Sequence, residues 1–440
     1  MDFFTINFVI FSVLVAAVLS LITNSRIKFN LLLIASLGYL TFWSWQAVLL
    51  VVGNSLLVAG LAKKIYKNKF ILFLGIVIQV SLIVSSRLLF EFKSNEIYQA
   101  FIFNSIWFIG VSYYSLQNIS YLVDSYFEKD NELSWKEILI SNIYFPKLLV
   151  GPIEKPRILS SKIMNPKNID IWRSLYLISL GVFKRLVISV RIMSFYQQMR
   201  ESYPEGTPMF VYWTIAVLGY VTLYVDFSAY MNIGQGVSLL FGIELEENFN
   251  RPYMSASPVE YWKRWHMTLS NWVKEYIYYP VLLKFKNINL AIFVSFMLVG
   301  AWHGFKKELF FWVLSWCLYQ AIYIYLKDKK IIKMSENYLI RFLYVFLNFN
   351  IVAFIGLYSY YLMFFKFEKP IWNVFLDAQG AFLYRENYLL GVFILILLVL
   401  ENINSKIKSD LFYINASVFL VFLNAVYMFS SSYLFYYMRI

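Results

Sequence analysis

Apolar runs separated by short polar connectors fill most of the chain, and their lengths set the first expectation. The clearer runs cover residues 3–22, 31–45, 47–62, 70–85 and 100–116, then 174–190, 210–227, 290–302, 309–326, 339–365, 388–400 and 413–437. About eleven or more of them are long enough to cross, or nearly cross, a bilayer as helices. The pattern changes between about Ser112 and Gly304. There Pro146, Gly151-Pro152, Pro156, Asp226, Asn248 to Pro252 and Pro258 interrupt apolar sequence at a density that ordinary spans avoid. Non-helical backbone at membrane depth persists only where protein or trapped water satisfies its polar groups. The expected architecture is therefore an all-α polytopic membrane protein forming one integral domain over residues 1–440. Conventional spans occupy 1–111 and 305–440, and a polar core of re-entrant or tilted helices lines a cavity over 112–304.

Composition strengthens this picture. Hydrophobic residues make up 60% of the 440 and charged residues only 15%, against roughly 25% charged in soluble domains. Tyr, Phe and Trp supply 20%, and many flank the apolar runs as interfacial belts do. The formal charge of +13 sits in connectors: Lys63-Lys64 with Lys67 and Lys69, and Lys327 with Lys329-Lys330 and Lys333. That placement follows the positive-inside rule and argues against nucleic acid as a partner. With Arg26 and Lys28 also inside, the N-terminus lies outside. The first run follows Met1-Asp2-Phe3-Phe4 with no basic cluster, so it is expected to be a membrane helix and not a cleaved signal. Cys317 is the sole cysteine and lies in apolar sequence, which excludes an intramolecular disulfide and any cysteine metal cluster.

Chemistry is confined to few places. The chain has two histidines, and imidazole is the side chain suited to taking and returning a proton near neutral pH. His266 lies in Glu260-Tyr261-Trp262-Lys263-Arg264-Trp265-His266-Met267-Thr268-Leu269-Ser270. Ser257-Pro258 predicts a helix start, and one helical face would then carry His266 and Ser270 with Arg264 close by. The same segment also fits an interfacial amphipathic helix with its tryptophans in the acyl region. His303 ends an apolar run in Gly300-Ala301-Trp302-His303-Gly304. Small neighbours let backbone and substrate approach it; a histidine satisfied by a helix-end carbonyl is the alternative. Asp226 and Asp124 follow apolar runs and are expected to form ion pairs with basic residues of the central segment. Dinucleotide, Walker, zinc-protease and nucleophile-elbow motifs are absent, and two histidines make no metal site.

Taken in order, these segments resemble the membrane-bound O-acyltransferase family, in particular its bacterial alginate O-acetylation branch. The resemblance rests on Gly110-Val111-Ser112-Tyr113-Tyr114-Ser115-Leu116-Gln117 through Asp124, and on Phe145-Pro146-Lys147-Leu148-Leu149-Val150-Gly151-Pro152-Ile153. It continues in Asp226-Phe227-Ser228-Ala229-Tyr230, in Glu247-Asn248-Phe249-Asn250-Arg251-Pro252-Tyr253, in Trp262-Lys263-Arg264-Trp265-His266 and in Trp302-His303-Gly304. It implies transmembrane helices ringed around a central tunnel, with His303 as general base and His266 nearby. Arg264, Ser270, Trp302, Asp226 and Asn250 would bind substrate or support the site. No cofactor stays bound; a cytoplasmic acyl thioester, acetyl-coenzyme A or an acyl-carrier protein, is the donor. The acceptor is a hydroxyl of an envelope or extracellular polysaccharide, reached directly or through an extracytoplasmic acetyltransferase, at a bacterial plasma membrane. Only residues 281–289 separate Tyr278-Tyr279-Pro280 from the next run, where the alginate branch carries a Gly-rich basic insertion. D-alanyl transfer to teichoic acid is therefore a second expectation. A lipid-linked sugar flippase and an inactive scaffold are further alternatives.

Overall fold

A computed structural model describes residues 6–91, 109–129, 132–192, 209–304, 307–332, 337–364, 385–404 and 409–430. All regular structure among them is helical. In chain order the helices are α1 (Ile6–Ser20), α2 (Ser25–Trp43), α3 (Trp45–Ile65), α4 (Lys69–Glu91), α5 (Val111–Phe127), α6 (Trp135–Ile143) and α7 (Pro156–Met164). There follow α8 (Ile171–Val182), α9 (Met209–Leu239), α10 (Pro258–Trp262), α11 (Met267–Val273), α12 (Tyr279–Phe285) and α13 (Ile288–His303). The last are α14 (Lys307–Asp328), α15 (Tyr338–Phe364), α16 (Arg385–Asn404) and α17 (Asp410–Ser430). Two compact units result: residues 1–174 with 233–247, and residues 175–232 with 248–440.

The first unit is held by amides and hydroxyls inside an apolar frame. Ser44 serves two helices, ending α2 and accepting the Ala47 N–H at 3.0 Å to start α3. Asn54 of α3 and Gln79 of α4 exchange both amide hydrogen bonds, at 3.2 and 2.8 Å. Asn142 donates to Ser55 at 3.1 Å, and the buried Lys147 ammonium donates to Gln117 at 3.0 Å. Such bonds bring helices together where burying apolar surface gives no advantage over lipid. Asp124 pairs with Lys155 at 3.3 Å, as expected.

In the second unit α13 packs on α14 and α14 on α15, while α16 and α17 lie along a widened helical stretch, Phe183–Ser189. The α13–α14 approach depends on Gly300. A Cβ there would stand 2.5 Å from Val313 Cγ2. A buried ion pair joins Lys184 to Glu401 at 2.7 Å, and the Tyr224 and Tyr253 hydroxyls donate to the same carboxylate at 2.7 and 2.6 Å.

Among the described residues, four helical stretches are long and apolar enough to cross a membrane: Trp45–Ile65, Lys69–Leu88, Leu309–Asp328 and Tyr338–Gly356. Shorter apolar helices cover Asn7–Ser20, Ile288–His303, Ile394–Ile403 and Phe412–Asn424. Large apolar side chains such as Phe42, Phe70, Leu283 and Leu339 are largely exposed on these and neighbouring helices, a surface suited to acyl chains and not to water. The expected run 100–116 begins outside the described residues, and its helix α5 extends to Phe127 because buried Gln117, Asn118 and Ser120 continue it. The parts of the first, tenth and twelfth runs at 3–5, 365 and 431–437 also lie outside the described residues.

Candidate active site

The second unit brings both histidines together, and it does so through non-helical backbone. Ser257 caps α10 by accepting the Glu260 N–H at 3.2 Å, with Pro258 in the first turn, as its sequence predicts. The helix then stops. Residues 248–250 run alongside 264–267: the Met267 N–H donates to the Asn248 carbonyl and the Asn250 N–H to the Arg264 carbonyl, both at 2.9 Å. These two rungs hold His266 at φ 42° and ψ 53°, a left-handed conformation that costs a residue with a Cβ about 1–2 kcal/mol. The single helical face expected to carry His266 and Ser270 is thus broken at the histidine. Ser270 instead donates its hydroxyl to the Trp265 carbonyl at 3.1 Å.

Only 3% of His266 is exposed. Phe227 meets its ring edge-on at 5.0 Å between centroids, and Phe249 and Trp302 stand at 6.5 and 6.4 Å. Trp302 is shared, since its ring also lies 4.7 Å from that of His303. His303 closes α13, faces Trp312 at 6.2 Å and is exposed. Gly304 follows at φ 153°, a conformation that favours glycine, and its N–H returns to the Gly300 carbonyl at 3.0 Å. One imidazole is therefore sealed among aromatic rings and the other is open. Burial pushes the pKa of His266, which lies in the connector between two short helices, down to about 3; His303 acts in the same direction. At neutral pH the ring is uncharged and only weakly basic, a group that accepts a hydrogen bond more readily than a proton.

A broader aromatic wall backs the pair. Tyr261 stacks on Trp265 at 5.7 Å and on Trp316 at 5.1 Å, and Phe296 stacks on Trp316 at 6.0 Å. Aromatic rings fix position with little side-chain freedom to lose.

The other expected site residues take varied places. Arg264 donates to Glu260 Oε1 through Nε at 3.1 Å and Nη2 at 2.8 Å, and through Nη1 to the Asn250 carbonyl at 3.2 Å. Its guanidinium therefore braces the turn that presents His266. Asn250 is exposed and enters this arrangement through its backbone. Asp226 pairs with Arg185 and accepts the Ser189 hydroxyl at 3.0 Å.

Asn248 was not singled out from the sequence, yet its side chain makes a direct polar contact with the His266 ring. Its Oδ1 lies 3.1 Å from His266 Nδ1 and accepts the N–H and the hydroxyl of Thr268 at 3.1 and 2.9 Å. No group of three or more His, Cys, Asp or Glu placed to hold a metal occurs among the described residues.

Comparison with known proteins identifies a family. The model of MBOAT, the membrane-bound O-acyltransferase family, matches residues 85–363, a stretch containing both histidines. The peptidoglycan O-acetyltransferase of Helicobacter pylori is 28% identical over 335 residues, covering 64% of this chain and 61% of that protein. The teichoic acid D-alanyltransferase of Bacillus subtilis is 25% identical over 283 residues, or 58% of this chain and 69% of that protein. The probable alginate O-acetylase AlgI of Pseudomonas fluorescens is 27% identical over 218 residues, 46% of this chain and 42% of that protein. The chain thus spans 61% of the first relative's length and 42% of the alginate relative's.

Proposed function

The chain belongs to the membrane-bound O-acyltransferase family, and from that premise we propose that it moves an acyl group, acetyl in the first instance, from a cytoplasmic thioester to a hydroxyl of an envelope polysaccharide. The acceptor is met directly or through an extracytoplasmic partner enzyme, at the plasma membrane of a bacterium. The observation carrying this proposal is the pairing of a sealed, neutral His266 with an exposed His303 across the Trp302 ring.

An alcohol is a weak nucleophile at neutral pH. In the proposed step an imidazole, His303 in our assignment, takes the hydroxyl proton as the oxygen attacks the thioester carbonyl. The new C–O ester bond forms, the C–S bond breaks, and the proton passes to the departing thiolate. A narrow passage lined by helices would let donor and acceptor approach from opposite faces and keep bulk water from the thioester. Aromatic walls such as Phe227, Phe249 and Trp302 suit that exclusion.

His303→Ala tests the assignment. With membrane protein level unchanged, polymer-linked ester should fall about 100-fold or more; ester at the wild-type level would remove His303 from the mechanism. Purified protein given an acyl thioester should release thiol only when acceptor is present, whereas a flippase would release none.

D-alanyl transfer is the second reading, favoured by the compact corner after Tyr278. There α12 ends at Phe285, Lys286 turns at φ 52°, and Asn287 already caps α13. Mild base applied to the modified polymer distinguishes the two: acetate supports acetyl transfer and D-alanine the alternative.

A further inference from the structure

The contacts around Asn248 decide which nitrogen of His266 carries the proton. A backbone N–H can only donate, so the Asn248 atom facing the Thr268 N–H at 3.1 Å must be the amide oxygen. That same oxygen faces His266 Nδ1 at 3.1 Å, and two acceptors cannot share a hydrogen bond unless one holds a proton. Turning the amide over would set its NH2 group against the Thr268 N–H inside the protein, a mismatch costing about 1–3 kcal/mol. The amide nitrogen has its own neighbour, Met231 Sδ at 3.6 Å, a weak acceptor that fits a donor. Asn248 itself cannot swing away. It is 1% exposed, and its carbonyl is tied to the Met267 N–H.

We infer that Asn248 is a positioning residue that holds His266 as the Nδ1–H tautomer, so that Nε2 presents a lone pair that accepts a hydrogen bond during acyl transfer. The tautomer stands on the geometry alone; its catalytic meaning rests on the function proposed above. His303 is the titratable group whose charge acts on this ring. Neutrality of His266 and the placement of its lone pair thus have separate sources, the first from burial and the second from one amide.

Two histidines in the whole chain make the test direct. Full-length protein labelled with 15N at histidine, in detergent or lipid, gives separate ring-nitrogen signals, assigned by comparison with His303→Gln. The wild type should show a protonated Nδ1 and a bare Nε2 at residue 266. In Asn248→Ala the Nε2–H form should become a major species, with kcat lower by about 100-fold and KM changed far less. Thr268→Val keeps its backbone N–H and should retain the wild-type tautomer. If Asn248→Ala does not fold, Asn248→Asp replaces it: a carboxylate facing Nδ1–H should raise the pH at which imidazolium forms. An Nε2–H tautomer in the wild type, an unchanged spectrum in Asn248→Ala, or no rise in Asn248→Asp would each overturn the inference. Loss of acyl transfer from the wild type beside an Asn248-dependent tautomer would sink the proposed function and leave the tautomer standing.

Discussion

A buried neutral imidazole makes the fold sensitive to acid in a definite direction. Unfolded, His266 titrates near its ordinary value of 6.5; folded, it resists protonation down to about 3. Below the ordinary value the unfolded chain binds a proton that the folded chain refuses, so stability is lost as pH falls through this window. The loss is at most about 1.4 kcal/mol for each pH unit. Melting temperature in detergent should therefore drop more steeply between about pH 6.5 and pH 5 for the wild type than for His266→Gln, which has nothing to protonate; parallel curves would refute the burial effect. Both histidines stood out because polar side chains are rare in apolar sequence, and the structure sets both rings against Trp302. Asn248 was not. An amide between Glu247 and Phe249 has no pattern of its own, and only the two rungs to residues 264–267 turn it toward the imidazole. Arg264 and Ser270 stand beside His266 in sequence, yet their polar atoms go to Glu260 and to the Trp265 carbonyl.

At the scale of elements, apolar length predicts helices well where lipid or a greasy core is the partner. It fails where polar residues face one another inside, as in α5, whose Gln117 and Asn118 are buried among neighbours. It fails again at residues 263–266, where helical spacing runs on in the sequence while pairing with 248–250 breaks the helix. Pro280 gave a partial signal. It has no N–H to continue the ladder, and the helix widens over Lys274–Tyr278 just before it. The α13–α14 contact makes a sharper prediction. Gly300→Ala drives a methyl against Val313 Cγ2 and should destabilise by about 1–3 kcal/mol. Adding Val313→Ala should recover most of that in thermal unfolding. Failure of the double variant to recover would mean that Gly300 serves something other than close packing.

Across the molecule, the apolar composition alone points to lipid as the solvent. Exposed Phe, Leu and Ile on long helices leave lipid as the reasonable surrounding. The number of crossings was less legible: four described helices meet length and apolarity together, and other apolar helices are shorter. Charge inside is the counterpart of apolarity outside. Lys184 and Glu401 are both buried and satisfy one another with help from Asn232, Tyr224 and Tyr253. Removing one partner strands the other, so Glu401→Gln should cost about 3–5 kcal/mol, whereas Lys184→Met with Glu401→Leu should cost much less. Folded yield and melting temperature in detergent check both, and equal losses would deny the pair any special weight. Neither residue belongs to the two-histidine motif, and Glu401 lies beyond the family match at 363. His266 hangs from cross-links to residues 248–250 and meets the long helices only near Phe227 of α9 and Trp302 at the end of α13. A turn added at the distal end of α13 or α14 would alter how much hydrocarbon the protein matches and leave the imidazole at its depth. Membranes of unequal thickness can then be served by trimming rods, with the reacting centre carried over intact.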